Sequence, residues 1–229
     1  MLTLLKDFFS LIYPNICLAC GKSLLHNEHC ICTCCKYKLP KTKFHLDKNN
    51  PVSKLFWGRV CLENAASYYQ FDKGGKVQKL IHQLKYKGQQ EIGVTVGKYY
   101  GAELKRSEDY ADVDVVLPVP LHPRRQRKRG YNQSDSFAQG LAKSMNASYS
   151  PKVLYRSQYS DTQTKKSRFD RWKNVQSVFN LRNMELLRDK HILLVDDVVT
   201  TGSTLEACAQ TLLLIPGAKV SIVTMAYAA

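Results

Sequence analysis

Nowhere in this chain do apolar residues run on for anything near the roughly 20 that a membrane-crossing helix needs. The opening stretch, MLTLLKDFFSLIYP, is apolar but broken by Lys6 and Asp7, and it has no small-residue cleavage site. It does not read as an export signal. Leu2, Leu5, Phe9 and Ile12 fall at helical spacing, which predicts an amphipathic helix that ends before Pro14 and packs on the core. Without an export signal the expected compartment is the cytoplasm, where a disulfide scaffold is disfavoured. Acidic residues are also scarce, 19 against 34 lysines and arginines, for a formal charge of +15. The scarcity is local: residues 1–60 hold 9 basic and 3 acidic groups, and residues 121–180 hold 13 and 3, whereas the remainder is balanced. Basic patches of this kind suit polyanions such as pyrophosphate or nucleic acid.

What is present is a chain of 229 residues with an ordinary apolar fraction, enough for one core plus a small accessory module. Six of its eight cysteines lie between Cys17 and Cys35. Cys17-Leu-Ala-Cys20-Gly has the form of a zinc knuckle, two thiolates on one tight turn. Cys32-Thr-Cys34-Cys35 repeats the spacing after a gap of eleven residues, so two pairs can converge on one tetrahedral ion. Cys17, Cys20, Cys32 and Cys35 are the preferred ligand set, with Cys30, Cys34, His26 and His29 available as substitutes. Four thiolates leave no open position, which makes the expected zinc structural rather than catalytic. Cys61 and Cys208 stand apart and read as buried small hydrophobes.

The segment HILLVDDVVTTGST, His191 to Thr204, carries the most chemistry. A run of four apolar residues predicts a buried parallel strand, here ending in Asp196 and Asp197 and followed by a hydroxyl-and-glycine turn and a helix. At the carboxyl end of a strand, such a loop meets ligands. Two carboxylates can accept hydrogen bonds from vicinal sugar hydroxyls, and the amides and hydroxyls of Thr200, Thr201, Gly202, Ser203 and Thr204 can cradle a phosphate. A capped βα corner, with Ser203 or Thr204 as N-cap and Glu206 in the first turn, would explain the hydroxyls. It leaves unexplained two adjacent like charges with no cation nearby in sequence. The rest alternates similarly: a strand over ENAASYYQF, helices over VQKLIHQLKYKG and from Ile92 to Leu104, then a strand Val113–Leu117 that leaves the sheet at Pro118-Val119-Pro120. A loop with Arg124, Arg125, Arg127, Lys128 and Arg129 follows, then a helix from about Asp135 to Met145. A long polar stretch, Arg156 to Phe179, and a final apolar strand, Lys219–Tyr227, complete the chain.

The run Ile192–Thr204 resembles the PRPP-binding signature of type I phosphoribosyltransferases at every position. Six motifs in order resemble one group more closely, the ComF/GntX proteins. They are the CxxC pairs ending in Leu39-Pro40, LIHQLKYKG from Leu80, LPVPLH from Leu117, RGYNQS from Arg129, Thr162-Gln163 with Arg168, and the Asp196–Asp197 loop. The resemblance implies an α/β type I phosphoribosyltransferase fold over residues 46–229, a parallel sheet flanked by helices, behind a zinc-binding module at 1–45. It implies ribose hydroxyls at Asp196 and Asp197 with Mg²⁺, the 5-phosphate at residues 200–204, and pyrophosphate at Arg124, Arg125 and Arg129. A hood containing Thr162, Gln163 and Arg168 would close over the sugar. It also implies a link to DNA uptake and the competence machinery. A competing reading keeps the fold but transfers nothing: the basic stretch, interleaved with Tyr131, Tyr155, Tyr159, Phe169 and Trp172, would bind single-stranded DNA.

Overall fold

A computed structural model describes residues 15–156 and 178–228. Five parallel strands form the central sheet: β1 (Ala65–Gln70), β2 (Val115–Pro118), β3 (Ser148–Tyr149), β6 (His191–Val199) and β7 (Lys219–Tyr227), in the order β1-β7-β6-β2-β3. An antiparallel pair, β4 (Leu154–Arg156) and β5 (Phe179–Leu181), stands beside it. The helices are α1 (Thr33–Lys38), α2 (Pro51–Lys54), α3 (Lys76–Tyr86), α4 (Glu91–Leu104), α5 (Pro123–Arg129), α6 (Gln133–Met145) and α7 (Ser203–Leu212). None of the described helices is long and apolar enough to cross a membrane.

The continuous apolar run in β6 is used on both faces, as expected for a covered parallel strand. Leu193 and Val195 pack with Leu80, Ile92, Val96, Phe137 and Leu141 from α3, α4 and α6. Ile192 and Leu194 pack with Val52, Phe56, Leu205, Cys208 and Leu212 on the other side. Cys17, Ala19, Cys30, Ile31, Cys35 and Leu39 belong to the first of these cores, so the cysteine-rich segment shares its apolar interior with α3 and α4.

The helices α4 and α6 meet backbone to backbone at Gly97 and Gly140. A Cβ on Gly97 would stand 2.4 Å from the Phe137 carbonyl, and one on Gly140 would stand 2.3 Å from that of Val94. Only hydrogen fits there. At the amino end of the sheet, buried His191 is bonded to Asp112 Oδ1 (2.8 Å) and Ser221 Oγ (2.9 Å). Ser221 is wholly buried, which makes this Asp-His-Ser set a fastener between segments.

Three local expectations need correcting. The cation-rich stretch after β2 is the helix α5, not a loop: Pro123 occupies its first turn, the His122 ring accepts the Arg124 amide, and Gly130 ends it in the left-handed region. The strand β6 does not end at the acids. It runs on to Val199 because β7 supplies ladder partners as far as Tyr227. Cys61 is exposed rather than buried, while Cys208 is buried as expected.

Candidate active site

The chain reverses its direction of travel across the sheet between β2 and β6, since β2 continues to β3 on one side and β6 to β7 on the other. The crevice outside the carboxyl ends of two such strands is where open α/β sheets take ligands. Here it is lined by Lys85, His122, Arg125, Arg129, Asn132, Ser134, Arg156, Asp196, Asp197 and Thr204. An adjoining hollow, lined by Asp196 and residues 198–205, shares Asp196 and Thr204 with it.

Each acid is held by a different group. Ser134 Oγ, near the start of α6, donates to Asp196 Oδ1 at 2.8 Å, and the Asp197 amide donates to the same oxygen at 2.8 Å. Lys85, near the end of α3, places Nζ 2.8 Å from Asp197 Oδ1. Burial, and then the neighbouring Asp197 charge, push the Asp196 carboxyl up to about 7, against the opposing pull of Ser134, the Asp197 amide and Lys85. In the following turn Gly202 adopts φ +76° and opens α7 with no side chain capping the first amides. Those unpaired N–H groups, at the positive end of the helix, form the kind of cradle that takes a phosphate.

The opposite lip is cationic. Arg129 donates to Gln133 Oε1 at 2.7 Å and lies 5.3 Å from the centroid of the Tyr86 ring. His122 is held below its ordinary value by desolvation and by Arg156, Arg124, Arg125 and Arg127, so several positive groups converge at one place.

The cysteine cluster lies apart from this cleft. The ligand atoms of Cys17, Cys20, Cys32 and Cys35 all lie within 4.8 Å of one another. The 3.8 Å between Cys20 Sγ and Cys32 Sγ matches the edge of a tetrahedron with arms of about 2.3 Å, the zinc–sulfur distance. Amides of Cys32 and Cys35 point at Cys17 Sγ (3.3 Å) and Cys32 Sγ (3.4 Å), while burial raises the Cys32 and Cys35 thiols. Burial raises the Cys17 thiol, but amide donors from Cys32, Cys20 and Ala19 outweigh it and bring it down to about 7. Cys30 turns away toward the Glu91 carbonyl (3.7 Å), and burial pushes it up to about 11. Cys34, His26 and His29 are exposed and outside the cluster.

The phosphoribosyl transferase domain family matches residues 132–229. Among solved structures, the allosteric regulatory enzyme of purine biosynthesis is similar at a TM-score of 0.43 and 20% identity, over 62% of this chain and 29% of that one. Competence protein F of Haemophilus influenzae is 32% identical over 137 residues, covering 58% of this chain and 60% of that one. Competence protein ComFC of Bacillus subtilis is 26% identical over 228 residues, 88% and 90% of the two chains. The DNA utilization protein YhgH of Escherichia coli (strain K12) is 31% identical over 220 residues, 89% of this chain and 92% of that one. The chain belongs to the ComF family. Its body is a type I phosphoribosyltransferase fold, and the four-cysteine cluster at its front can form a zinc module.

In this ComF protein the fold brings Asp196, Asp197, residues 200–204, Arg125 and Arg129 to adjoining hollows, while Arg124 does not line either. Thr162, Gln163 and Arg168, like Tyr159, Phe169, Trp172 and the helix expected before Pro14, lie outside the described residues. Sequence reasoning missed Lys85, Ser134, Asn132 and Arg156. The signal for Lys85 was indirect: two adjacent acids without a local cation require one from a distant segment.

Proposed function

We propose that this ComF protein binds PRPP with Mg²⁺ in the cleft between β2 and β6 and transfers its phosphoribosyl group to an acceptor. The observation that carries the reading is the placement, around one crevice, of an acid pair, an uncapped helix start and two arginines. The 5-phosphate sits on the amides and hydroxyls of Thr200, Thr201, Gly202, Ser203 and Thr204. Asp196 and Asp197 face the ribose hydroxyls. These hard oxygen donors suit Mg²⁺, which is commonly held by one or two carboxylates plus substrate phosphates and neutralises their charge when bound. Arg125 and Arg129, with Lys85 in the same cleft, stabilise the negative charge that develops on departing pyrophosphate. The four-thiol cluster is assigned to structural zinc.

Calorimetry with PRPP and Mg²⁺ tests the site. Replacing both Asp196 and Asp197 with asparagine should weaken binding at least about tenfold, the scale of one lost charge-assisted contact. Unchanged affinity would remove the assignment. Release of pyrophosphate on adding bases, nucleotides or DNA marks the protein as a transferase, and binding without release marks it as a sensor of PRPP.

A second reading has its own support. The helix α5 buries none of its 7 residues; five are cationic, of which Arg129 is half-buried and the other four are exposed. The exposed Tyr86 beneath Arg129 places a flat ring beside those charges, and Tyr155 has a cation of its own, the Arg182 guanidinium 4.3 Å from its ring centroid. Such a surface suits single-stranded DNA, by phosphate contact and stacking. The names of the relatives point the same way, toward DNA handling by the competence machinery. Log affinity should fall against log salt with a slope of about −0.7 per phosphate neutralised; a flat line, or no binding at low salt, rules this surface out.

A further inference from the structure

We propose that Arg59 is a positioning residue that holds the 200–204 loop in its anion-accepting form. The inference rests on the reading of that loop as the 5-phosphate site. Arg59 comes from the turn after α2, far from the loop in sequence, and does not line the hollow itself. Its guanidinium makes three contacts. Nη1 donates to the Leu55 carbonyl at 2.8 Å, which fixes the side chain to its own turn, and to the Thr201 carbonyl at 3.1 Å. Nη2 pairs with Glu206 in the first turn of α7.

The contact with Thr201 matters because a peptide unit is planar and trans. Its C=O and the following N–H point in opposite directions. By holding the Thr201 carbonyl, Arg59 turns the Gly202 amide away from itself, and Gly202 lines the hollow. Phe56, from the same turn, closes on Gly202 from behind: a Cβ there would stand 2.9 Å from the ring. The turn therefore clasps the loop at two consecutive residues. The ion pair acts on charge. An acid in the first turn favours the helix but repels a phosphate bound at its start, and Arg59 neutralises Glu206. Gln210 Nε2, 3.4 Å from Glu206 Oε1 and 3.4 Å from the Arg59 carbonyl, ties the pair to α7.

Amide hydrogen exchange at Glu206, whose N–H closes the loop on the Gly202 carbonyl at 2.8 Å, read beside calorimetry with PRPP and Mg²⁺, tests this. Arg59→Met should speed exchange there and weaken PRPP binding about tenfold, the scale of a charge-assisted hydrogen bond. Adding Glu206→Gln to that variant removes the bare charge, so part of the affinity returns while exchange stays fast. Arg59→Lys retains the charge opposite Glu206 but lacks the planar fork, and falls between wild type and Arg59→Met in both readouts. The proposal is overturned if exchange at the Glu206 amide and affinity in Arg59→Met stay within about twofold of wild type, below the effect of one such bond. Should Arg59→Met not fold, Arg59→Lys decides: wild-type exchange and affinity overturn it. A wild-type protein that binds no PRPP defeats the phosphate reading, and exchange at that amide alone then decides whether Arg59 holds the loop.

Discussion

Replacing Asp196 with asparagine is expected to raise the melting temperature of the unliganded protein at pH 8 while weakening its affinity for PRPP and Mg²⁺ about tenfold. Burial and the adjacent Asp197 push the Asp196 carboxyl up to about 7 from an ordinary value of 3.8. The folded state therefore keeps the proton more tightly than the unfolded chain does. The associated stability is fully present below about pH 4 and is lost as pH rises through about 7. Asparagine imitates the protonated side chain, and its carbonyl oxygen still accepts from Ser134 Oγ and the Asp197 amide. The gain should be small at pH 4, grow toward pH 7 and level off above it. Its size is on the order of 1–3 kcal/mol, or several degrees for a chain of this length. Thermal denaturation from pH 4 to 8 checks it; a variant no more stable than wild type at pH 8 would show that Asp196 carries no such burden. A carboxylate kept where it weakens the fold is the usual pattern of a functional group.

Stripping the metal from the cysteine cluster, by chelation or by Cys32→Ser, is expected to unfold more than the front of the chain. A structural zinc site contributes about 10–16 kcal/mol in small finger peptides, comparable with the 5–15 kcal/mol that holds a whole domain together. The apolar residues between the cysteines belong to the same core as α3 and α4. Gln83 Nε2 donates to the Leu18 carbonyl at 2.6 Å, two residues before Lys85 on α3. Loss of the cluster should reach the cleft, so the melting transition drops or broadens and PRPP binding falls with it. Exposed Cys34 supplies the control, since Cys34→Ser should leave melting and metal content unchanged. A chelated protein that melts at the wild-type midpoint would show that no metal supports this core.

Much of the site could be read in the sequence because its parts are local. The CxxC pairs, the run of four apolar residues before Asp196 and the glycine at 202 each act through neighbours a few positions away. Strand and helix alternation was legible for the same reason: Val77, Leu80, Ile81 and Leu84 fall on one helical face and are all buried. What escaped depends on contacts between distant segments. The Lys85–Asp197 and Arg59–Glu206 pairs and the Ser134 hydrogen bond to Asp196 are made across the fold. The extension of β6 past the acids has the same origin, since nothing local to Val198 and Val199 announces that β7 will run beside them. The helix α5 is hard to read from sequence because its seven residues offer no apolar stripe; Pro123 and Gly130 are its local marks.

The glycine seam between α4 and α6 reaches further than its own stability. Ser134, which holds Asp196, rides at the start of α6, and the position of that helix is set where Gly97 and Gly140 bring two backbones together. Backbones have no rotamers to exchange, so a polypeptide stop replaces the adjustable padding that a leucine or methionine contact would provide. The hydroxyl is thus indexed to the sheet by a joint that cannot be retuned by swapping one apolar residue for another. Substitutions among the ligand-facing side chains leave this reference point in place, whereas a single methyl group added at Gly140 would shift it for the whole cleft.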